Sequence, residues 1–130
     1  MTIENPQAYL DGVWDWAILD GCFGTTRIKP MDVDGLIERK GKFLMLEAKA
    51  PDVPVPTGQR ILHEAWVRRG DSVLVVWGEK NKPQRLQLFS PRHPFPDGVV
   101  YDPADVRKFV EVVAAWYRWA DTGVCPVVKS

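Results

Sequence analysis

Several features are scarce or missing in this 130-residue chain, and each absence argues against a particular kind of protein. It has only two cysteines, Cys22 and Cys125, which lie far apart, so free buried thiols are expected rather than a disulfide. No apolar run approaches the roughly 20 residues that a membrane helix needs. The first residues lack the basic and apolar regions of a signal peptide, which favours a cytoplasmic protein without a membrane partner.

Positive and negative charges are balanced, because 17 basic and 17 acidic residues give a formal net charge of zero. This balance argues against a protein that holds nucleic acid mainly by a large basic surface. It leaves open a site that takes its positive charge from a metal ion. The chain also lacks internal repeats, glycine-rich phosphate-binding loops and the Cys/His spacing of zinc sites.

What the chain does contain is an alternation of helix and strand patterns within a length that fits one domain, residues 1–130. The predicted order is helix 6–19, strands 22–30, 32–38 and 42–49, helix 57–69, strands 72–78 and 85–90, and helix 102–120. The apolar run at 72–78 is typical of a strand buried on both faces. A helix between the hairpin and this strand indicates a crossover, and so an α/β fold with a mixed central β-sheet flanked by helices.

The hairpin of residues 32–49 places its charges at one end. A tight turn at Lys40-Gly41 sets a register in which Asp34 faces Glu47. Because side chains alternate along a strand, Glu47 and Lys49 share a face of the hairpin with Asp34. Asp32, an alternative to Asp34 as the acid of this cluster, lies on the same face. The opposite face is apolar and is predicted to be the core.

Opposed carboxylates repel each other, so they persist where something positive sits between them. Lys49 could supply that charge alone, in a salt-bridge cluster with Asp32, Asp34 and Glu47. A divalent cation would also supply it, since Mg²⁺ takes one or two carboxylates together with phosphate oxygens. The spacing by itself leaves both interpretations open.

Asp34, followed after the hairpin by Glu47-Ala48-Lys49, resembles the motif of the PD-(D/E)XK nuclease superfamily. The predicted element order is similar to the restriction-endonuclease-like core of that superfamily, αβββαβ, with an added strand and a C-terminal helix. Gln59, early in the next helix, is similar to a glutamine of the phage-type, VRR-NUC and Holliday-junction-resolvase branches.

The chain departs from the superfamily pattern at two points. It has Asp-Val-Asp instead of a simple Pro-Asp, and we prefer Asp34 over Asp32 because Asp34 faces Glu47. Several members of the superfamily also supply an acid from the first helix. The candidates for that acid in this chain are Asp11, Asp15 and Asp20, and the sequence does not choose among them.

The resemblance implies metal-dependent hydrolysis of phosphodiester bonds, with DNA favoured as the substrate and RNA left open. Because 130 residues leave no room for a separate sequence-reading module, we expect the substrate to be chosen by structure or ends. Asp34, Glu47 and the Ala48 carbonyl would hold Mg²⁺ or Mn²⁺. Lys49 would orient or deprotonate the attacking water, and Gln59 would position water or phosphate. A homodimer or a protein partner is left open.

Two further features bear on other functions. The helix around His63 begins like a zinc-protease motif, but Val67 stands where the second histidine should be, so the motif fails. His63 is expected on the helix surface, where it could edge the site. The alternative function is a non-catalytic protein on the same scaffold, such as a phage accessory or anti-defence protein that binds a protein partner. Trp16 and Trp119, which lie off the predicted apolar faces, favour it.

Overall fold

The computed structural model of the protein describes residues 5–124, which divide by their contacts into two units, one ending at Asp32 and the other beginning at Val33. Within the described residues, the elements in chain order are α1 (Pro6–Gly12), a 3-10 turn (Ala17–Leu19), β1 (Gly35–Arg39), β2 (Lys42–Lys49), α2 (Thr57–Arg68), β3 (Ser72–Glu79), β4 (Lys82–Phe89), β5 (Val99–Tyr101) and α3 (Val106–Thr122). The protein is therefore an α/β protein.

The sheet is mixed and has five strands in the order β1-β2-β3-β4-β5 among the described residues. β2 and β3 are parallel, and each other pair of neighbours is antiparallel. Parallel neighbours need a crossover connection, and α2 provides it. The predicted mixed sheet, with a crossover helix after the hairpin, is confirmed.

The β1–β2 hairpin has the predicted register, since Glu38 pairs with Phe43 and Leu36 pairs with Met45. Lys40 and Gly41 form its turn with φ values of 51° and 79°. Two successive residues with positive φ are typical of the turn that matches the twist of a two-stranded ribbon. Pairing ends at Gly35, so the residues before it lie outside the strand.

Both faces of the sheet are buried, each against a different helix. Leu44 of β2 belongs to one core cluster with Trp116 of α3, and the next residue, Met45, belongs to a second cluster with Val67 of α2. Adjacent residues of a strand point to opposite faces, so the two helices cover opposite sides. Flanking helices are therefore confirmed, but the expectation that only one face of the hairpin is core is wrong for β2.

The first helix is shorter than predicted. Asn5 caps it as expected, but α1 ends at Gly12 instead of near residue 19. Asp15 Oδ1 accepts a hydrogen bond from the backbone N–H of Ala17 at 2.9 Å, a local bond that competes with helical hydrogen bonding. Trp16 takes a left-handed conformation with a φ of 64°, which an α-helix does not accommodate.

The strand predicted at 22–30 is wrong, because these residues form turns and irregular structure. Gly24 has a φ of 68°, a conformation outside the extended region. Thr26 Oγ1 donates a hydrogen bond to the carbonyl of Phe23 at 2.7 Å, which stabilises a turn. Cys22 is free as predicted but exposed, so its expected burial is wrong, and Cys125 lies outside the described residues.

The C-terminal part of the sheet contains one element beyond the prediction, the three-residue strand β5. α3 begins at Val106 and not at Asp102-Pro103, because the side chain of Asp105 caps it by accepting from the N–H of Lys108 at 3.0 Å. It ends before Gly123, as predicted. Within residues 5–124, no helix has both the length and the apolar character to cross a membrane.

Candidate active site

Asp34 lies at the open end of the hairpin, where its side chain is bonded to β2. Its Oδ2 accepts a hydrogen bond from the backbone N–H of Ala48 at 2.8 Å. This bond holds the Asp34 carboxylate beside the residue that follows Glu47. Asp32, the rival candidate, belongs to the other unit. The described contact thus supports the preference for Asp34.

Glu47 is a buried acid, with 4% of its surface exposed. It follows Met45 by two residues on β2, so it points to the face that α2 covers. Burial raises the pKa of Glu47 above its ordinary value, the charge of Asp34 raises it further, and Lys49 opposes both effects. The Glu47 carboxylate therefore occupies a place that disfavours its charge and that a cation would relieve.

Lys49 is the cation that contacts this carboxylate. Its Nζ lies 3.4 Å from Oε1 of Glu47, and 14% of the Lys49 side chain is exposed. The contact is part of the cluster that the salt-bridge interpretation predicts, and it gives a buried carboxylate an opposite charge. Lys49 is the last residue of β2.

Two polar side chains of α2 lie one turn apart on the face of the helix toward the sheet. Gln59 is half-buried, as a site residue near the surface should be, and His63 is only 1% exposed. The expectation that His63 lies on the helix surface is therefore wrong. Its Nε2 is 4.0 Å from Oε2 of Glu47. Gln59 Oε1 and His63 Nε2 are both buried and have no hydrogen-bond partner within the described part of the chain.

The surroundings of His63 disfavour the charged form of its imidazole. Burial lowers the pKa of His63 below its ordinary value, and the charge of Lys49 lowers it further. A sequence signal for His63 existed, because Gln59, His63 and the buried Val67 follow one another at intervals of four residues.

Comparisons with known proteins leave the family open. The chain matches no protein-family model, no curated protein and no solved structure. The resemblance to the PD-(D/E)XK superfamily therefore rests on the site residues themselves, which are Asp34, Glu47-Ala48-Lys49 and Gln59.

The three acids considered for the first-helix position belong to the unit that ends at Asp32. Asp11 Oδ1 accepts a hydrogen bond from Gln7 Nε2 at 2.8 Å, one helical turn away. Asp15 caps the N–H of Ala17. These contacts are local to their own unit, so a role for Asp11, Asp15 or Asp20 at the site stays a prediction.

A pocket of about 710 Å³ adjoins the site from the α3 side of the sheet. Asp34 and Lys49 line it, together with the apolar side chains of Leu46, Val76 and Phe109. Glu47 points to the opposite side of the sheet, toward α2. Asp34 and Lys49 thus border this pocket, although the Lys49 ammonium group contacts Glu47.

The donor atoms of the site fit a cation that prefers oxygen. Asp34 and Glu47 supply carboxylates, and Gln59 supplies an amide oxygen that lacks a partner among the described residues. Within residues 5–124, no group of three or more His, Cys, Asp or Glu side chains is arranged to hold a metal ion. Mg²⁺ commonly takes one or two carboxylates and completes its shell with water and phosphate oxygens. An ion bound by these oxygens would therefore need water or other oxygens to complete its shell.

Proposed function

We propose that this protein is a metal-dependent nuclease that hydrolyses phosphodiester bonds of DNA and selects its substrate by structure or ends. One observation carries the proposal, the buried carboxylate of Glu47 held beside Asp34 and Lys49 at the open end of a hairpin. Acids whose charge is disfavoured by burial and by a second acid are concentrated at functional sites.

A restriction-endonuclease-like core agrees with part of the fold. β1, β2, α2 and β3 have the order that the resemblance implies for the second and third strands, the following helix and the fourth strand. Their pairing, antiparallel and then parallel, agrees as well. The first strand of the αβββαβ order does not form at residues 22–30. The proposal thus relies on the part of the core that carries the motif.

Each residue of the site has a role that follows from its position. Asp34 and Glu47, with the Ala48 carbonyl, would hold Mg²⁺ or Mn²⁺, which when bound supplies positive charge to the phosphate and lowers the pKa of bound water. As an ammonium group, Lys49 can leave Glu47 to orient the attacking water or to neutralise charge on the phosphate. It could deprotonate the water only after releasing its own proton to solvent. Gln59 accepts a hydrogen bond from water through its unpartnered Oε1.

The adjoining pocket has lysines as well as acids and apolar side chains in its lining. Lys80 and Lys82 are exposed and line the same pocket as Lys49. Their ammonium groups can contact phosphates of a strand that occupies this pocket, on the side of the sheet opposite to the one that Glu47 faces. The zero net charge of the chain is compatible with this arrangement.

Cleavage assays test the proposal directly. We would incubate the protein with single-stranded, duplex, flap and hairpin DNA and with the matched RNAs, in Mn²⁺ and in EDTA. We expect cleavage in Mn²⁺ that EDTA and Lys49→Ala abolish, and that depends on the form of the substrate more than on its sequence. Lys40→Ala, at the turn end of the same hairpin, is the matched control and should cleave as wild type does.

A second function fits a different observation. The unit that ends at Asp32 exposes a set of large apolar side chains, namely Tyr9, Leu10, Val13, Trp14, Trp16, Ile18, Phe23, Ile28 and Met31. Exposed apolar groups of this kind mark protein interfaces. Trp16 is 42% exposed, whereas Trp119 is partly buried against the core, so only Trp16 agrees with the expected interface.

This second candidate is a binding protein that acts through a protein partner or through a second copy of itself. Light scattering on the purified protein measures self-association, and Trp14→Ser together with Trp16→Ser should abolish it if these side chains form the interface. Wild-type protein that cleaves no tested nucleic acid but self-associates through these residues would favour this candidate over the nuclease.

A further inference from the structure

Besides Asp34, the Glu47 carboxylate has two nitrogen-bearing neighbours, Lys49 and His63, and one of them makes no hydrogen bond to it. Lys49 contacts Oε1 at 3.4 Å, whereas Nε2 of His63 stands 4.0 Å from Oε2, beyond hydrogen-bonding distance. Nε2 is buried and has no other partner among the described residues. An unpaired buried polar atom costs free energy, so a polar ring in this place needs a reason.

Packing alone does not supply that reason. Val67, one turn further along α2 on the same face, fills the core with an apolar side chain. An apolar residue at position 63 would fill its space without an unpaired nitrogen. One turn earlier, Gln59 has an unpartnered buried oxygen as well. The unsatisfied atoms therefore follow one another along the part of α2 that approaches Glu47.

The chemistry of the ring decides which atom faces the carboxylate. Neutral imidazole has one nitrogen that donates and one that accepts. With the proton on Nε2, a donor points at the Glu47 carboxylate, and with the proton on Nδ1, a lone pair does. The second arrangement is repulsive, so the field of Glu47 favours the Nε2–H tautomer.

We propose that His63 is a positioning residue, which donates a hydrogen bond from Nε2 to Oε2 of Glu47 when Lys49 turns away from Oε1. This inference rests on the proposed function in one respect, namely that Lys49 leaves Glu47 to contact the water or the phosphate. A shift of about 1 Å by the carboxylate toward α2 brings the two atoms to hydrogen-bond length. Lys49 and His63 are thus alternating partners of Glu47.

The alternation meets a physical need of the site. If Lys49 left with no replacement, a buried carboxylate would stand without a donor, which is strongly unfavourable. A hydrogen bond from His63 would give the Glu47 carboxylate a donor while Lys49 is away from it. Carboxylates that bind metals are commonly held in this way by a second residue behind them.

The tautomer provides a test that does not depend on catalysis. The chain has two histidines, His63 and the exposed His93, so long-range ¹H–¹⁵N spectra of the metal-free protein resolve them readily. We expect His63 to be neutral with its proton on Nε2, and Glu47→Gln to weaken that preference. A proton on Nδ1 of His63 in the wild-type protein would overturn the proposal.

Metal affinity provides the second test, by calorimetry with Mn²⁺. His63→Ala should weaken Mn²⁺ binding by about 10- to 100-fold, as loss of a residue behind a ligand does. His63→Gln, whose amide nitrogen can occupy the place of Nε2, should keep most of the affinity, and His63→Asn, which places it nearer Nδ1, should not. His93→Gln is the matched control, and melting in EDTA checks that each variant folds.

Several results would overturn the inference. Equal Mn²⁺ affinity in wild type, His63→Ala and His63→Gln would show that the ring holds nothing. Hyperfine coupling of bound Mn²⁺ to a histidine nitrogen would make His63 a ligand instead. If wild type binds no Mn²⁺ and cleaves nothing, the proposed function fails, and the tautomer still decides whether His63 donates to Glu47.

Discussion

The two faces of strand β2 differ in what they bury. Toward α3, Leu44 is fully buried in an apolar cluster, and toward α2, Glu47 is 4% exposed next to Met45. Burial is thus nearly equal on the two faces, and the difference is one of charge. Burying a carboxylate costs far more than burying a leucine. Burial of Glu47 on the α2 face therefore lowers stability at that position, which is what the proposed function would account for.

The largest effect should come from removing the lysine of the α2 face. Lys49→Ala is expected to lower cleavage by about 10²- to 10⁴-fold, as loss of a group that serves the water does. It should keep Mn²⁺ binding or strengthen it, since a competing positive charge is gone. Asp34→Ala should lower both cleavage and Mn²⁺ binding. Rates and calorimetry on the two variants measure this.

The salt-bridge interpretation makes the opposite forecast for the same variants. Lys49→Ala would then leave the carboxylates without compensation and mainly lower the melting temperature. If Lys49→Ala cleaves as fast as wild type, the catalytic role of Lys49 is wrong, and the charges at the end of β2 are structural.

The next largest effect should come from one substitution on each face of β2, which allows the two faces to be compared directly. Leu44→Ala should lower the free energy of unfolding by about 2–5 kcal/mol, because it opens a cavity in the α3 core. Glu47→Gln should raise it at neutral pH, because burial disfavours the charge that this change removes. Urea unfolding in EDTA measures both. Mn²⁺ affinity should be kept in Leu44→Ala and lost in Glu47→Gln.

A loss of stability in Glu47→Gln as large as that in Leu44→Ala would contradict the comparison. It would show that the carboxylate holds the fold together, and that the α2 face is a structural core like the α3 face.

A smaller effect should appear as pH changes. His63 has a lowered pKa, so its contribution to stability is present above the ordinary value of 6.5 and is lost as pH falls through the folded value. Glu47 has a raised pKa, so its contribution is present below the ordinary value of 4.5 and is lost as pH rises through the folded value. As pH falls, the loss of the His63 contribution therefore lowers the free energy of unfolding, and the return of the Glu47 contribution raises it.

Urea unfolding of the metal-free protein at several pH values separates the two contributions. A range of about pH 4 to 8 brackets the ordinary pKa values of both groups. His63→Gln should flatten the loss of stability in acid, and Glu47→Gln should make that loss steeper. If His63→Gln loses as much stability as wild type when the pH falls, His63 is not the source of that loss.

The smallest effect should come from the outer side of the same helix. Ile61 lies two residues before His63 on α2 and is 62% exposed. Ile61→Gln should change the free energy of unfolding by less than about 0.5 kcal/mol, as surface substitutions do. It should leave Mn²⁺ affinity unchanged. A larger change in either quantity would show that α2 is generally sensitive to substitution and would weaken conclusions drawn from His63.

Local signals account for the parts of the fold that were predicted correctly. The turn at Lys40-Gly41 sets the hairpin register by counting, and this register is confirmed as far as the pair of Gly35 with Leu46. Asp34 lies just beyond that pair and accepts from the N–H of Ala48, whereas its predicted pairing with Glu47 is not part of the ladder. Asn5 as a cap and Gly123 as a stop act within one helical turn. Such features depend on neighbours in sequence, so the sequence is sufficient to find them.

The parts predicted wrongly involve competition between local signals. The apolar spacing of residues 6–19 favours a long helix, but the Asp15 bond to the backbone and the left-handed Trp16 end it early. Residues 22–30 have strand-forming side chains, but Gly24 and the Thr26 turn bend them. Periodicity counts apolar positions and does not weigh a single hydrogen bond against them.

By itself the sequence determined the α/β class, the hairpin and the identity of the acids and the lysine at its end, because all three follow from spacing along the chain. Only the tertiary structure decided that Glu47 is buried and that His63 faces it. The reason is the parallel crossover, which lays α2 over one face of β2 and β3. That packing joins residues distant in sequence, and it turns an expected surface histidine into a neighbour of the buried carboxylate.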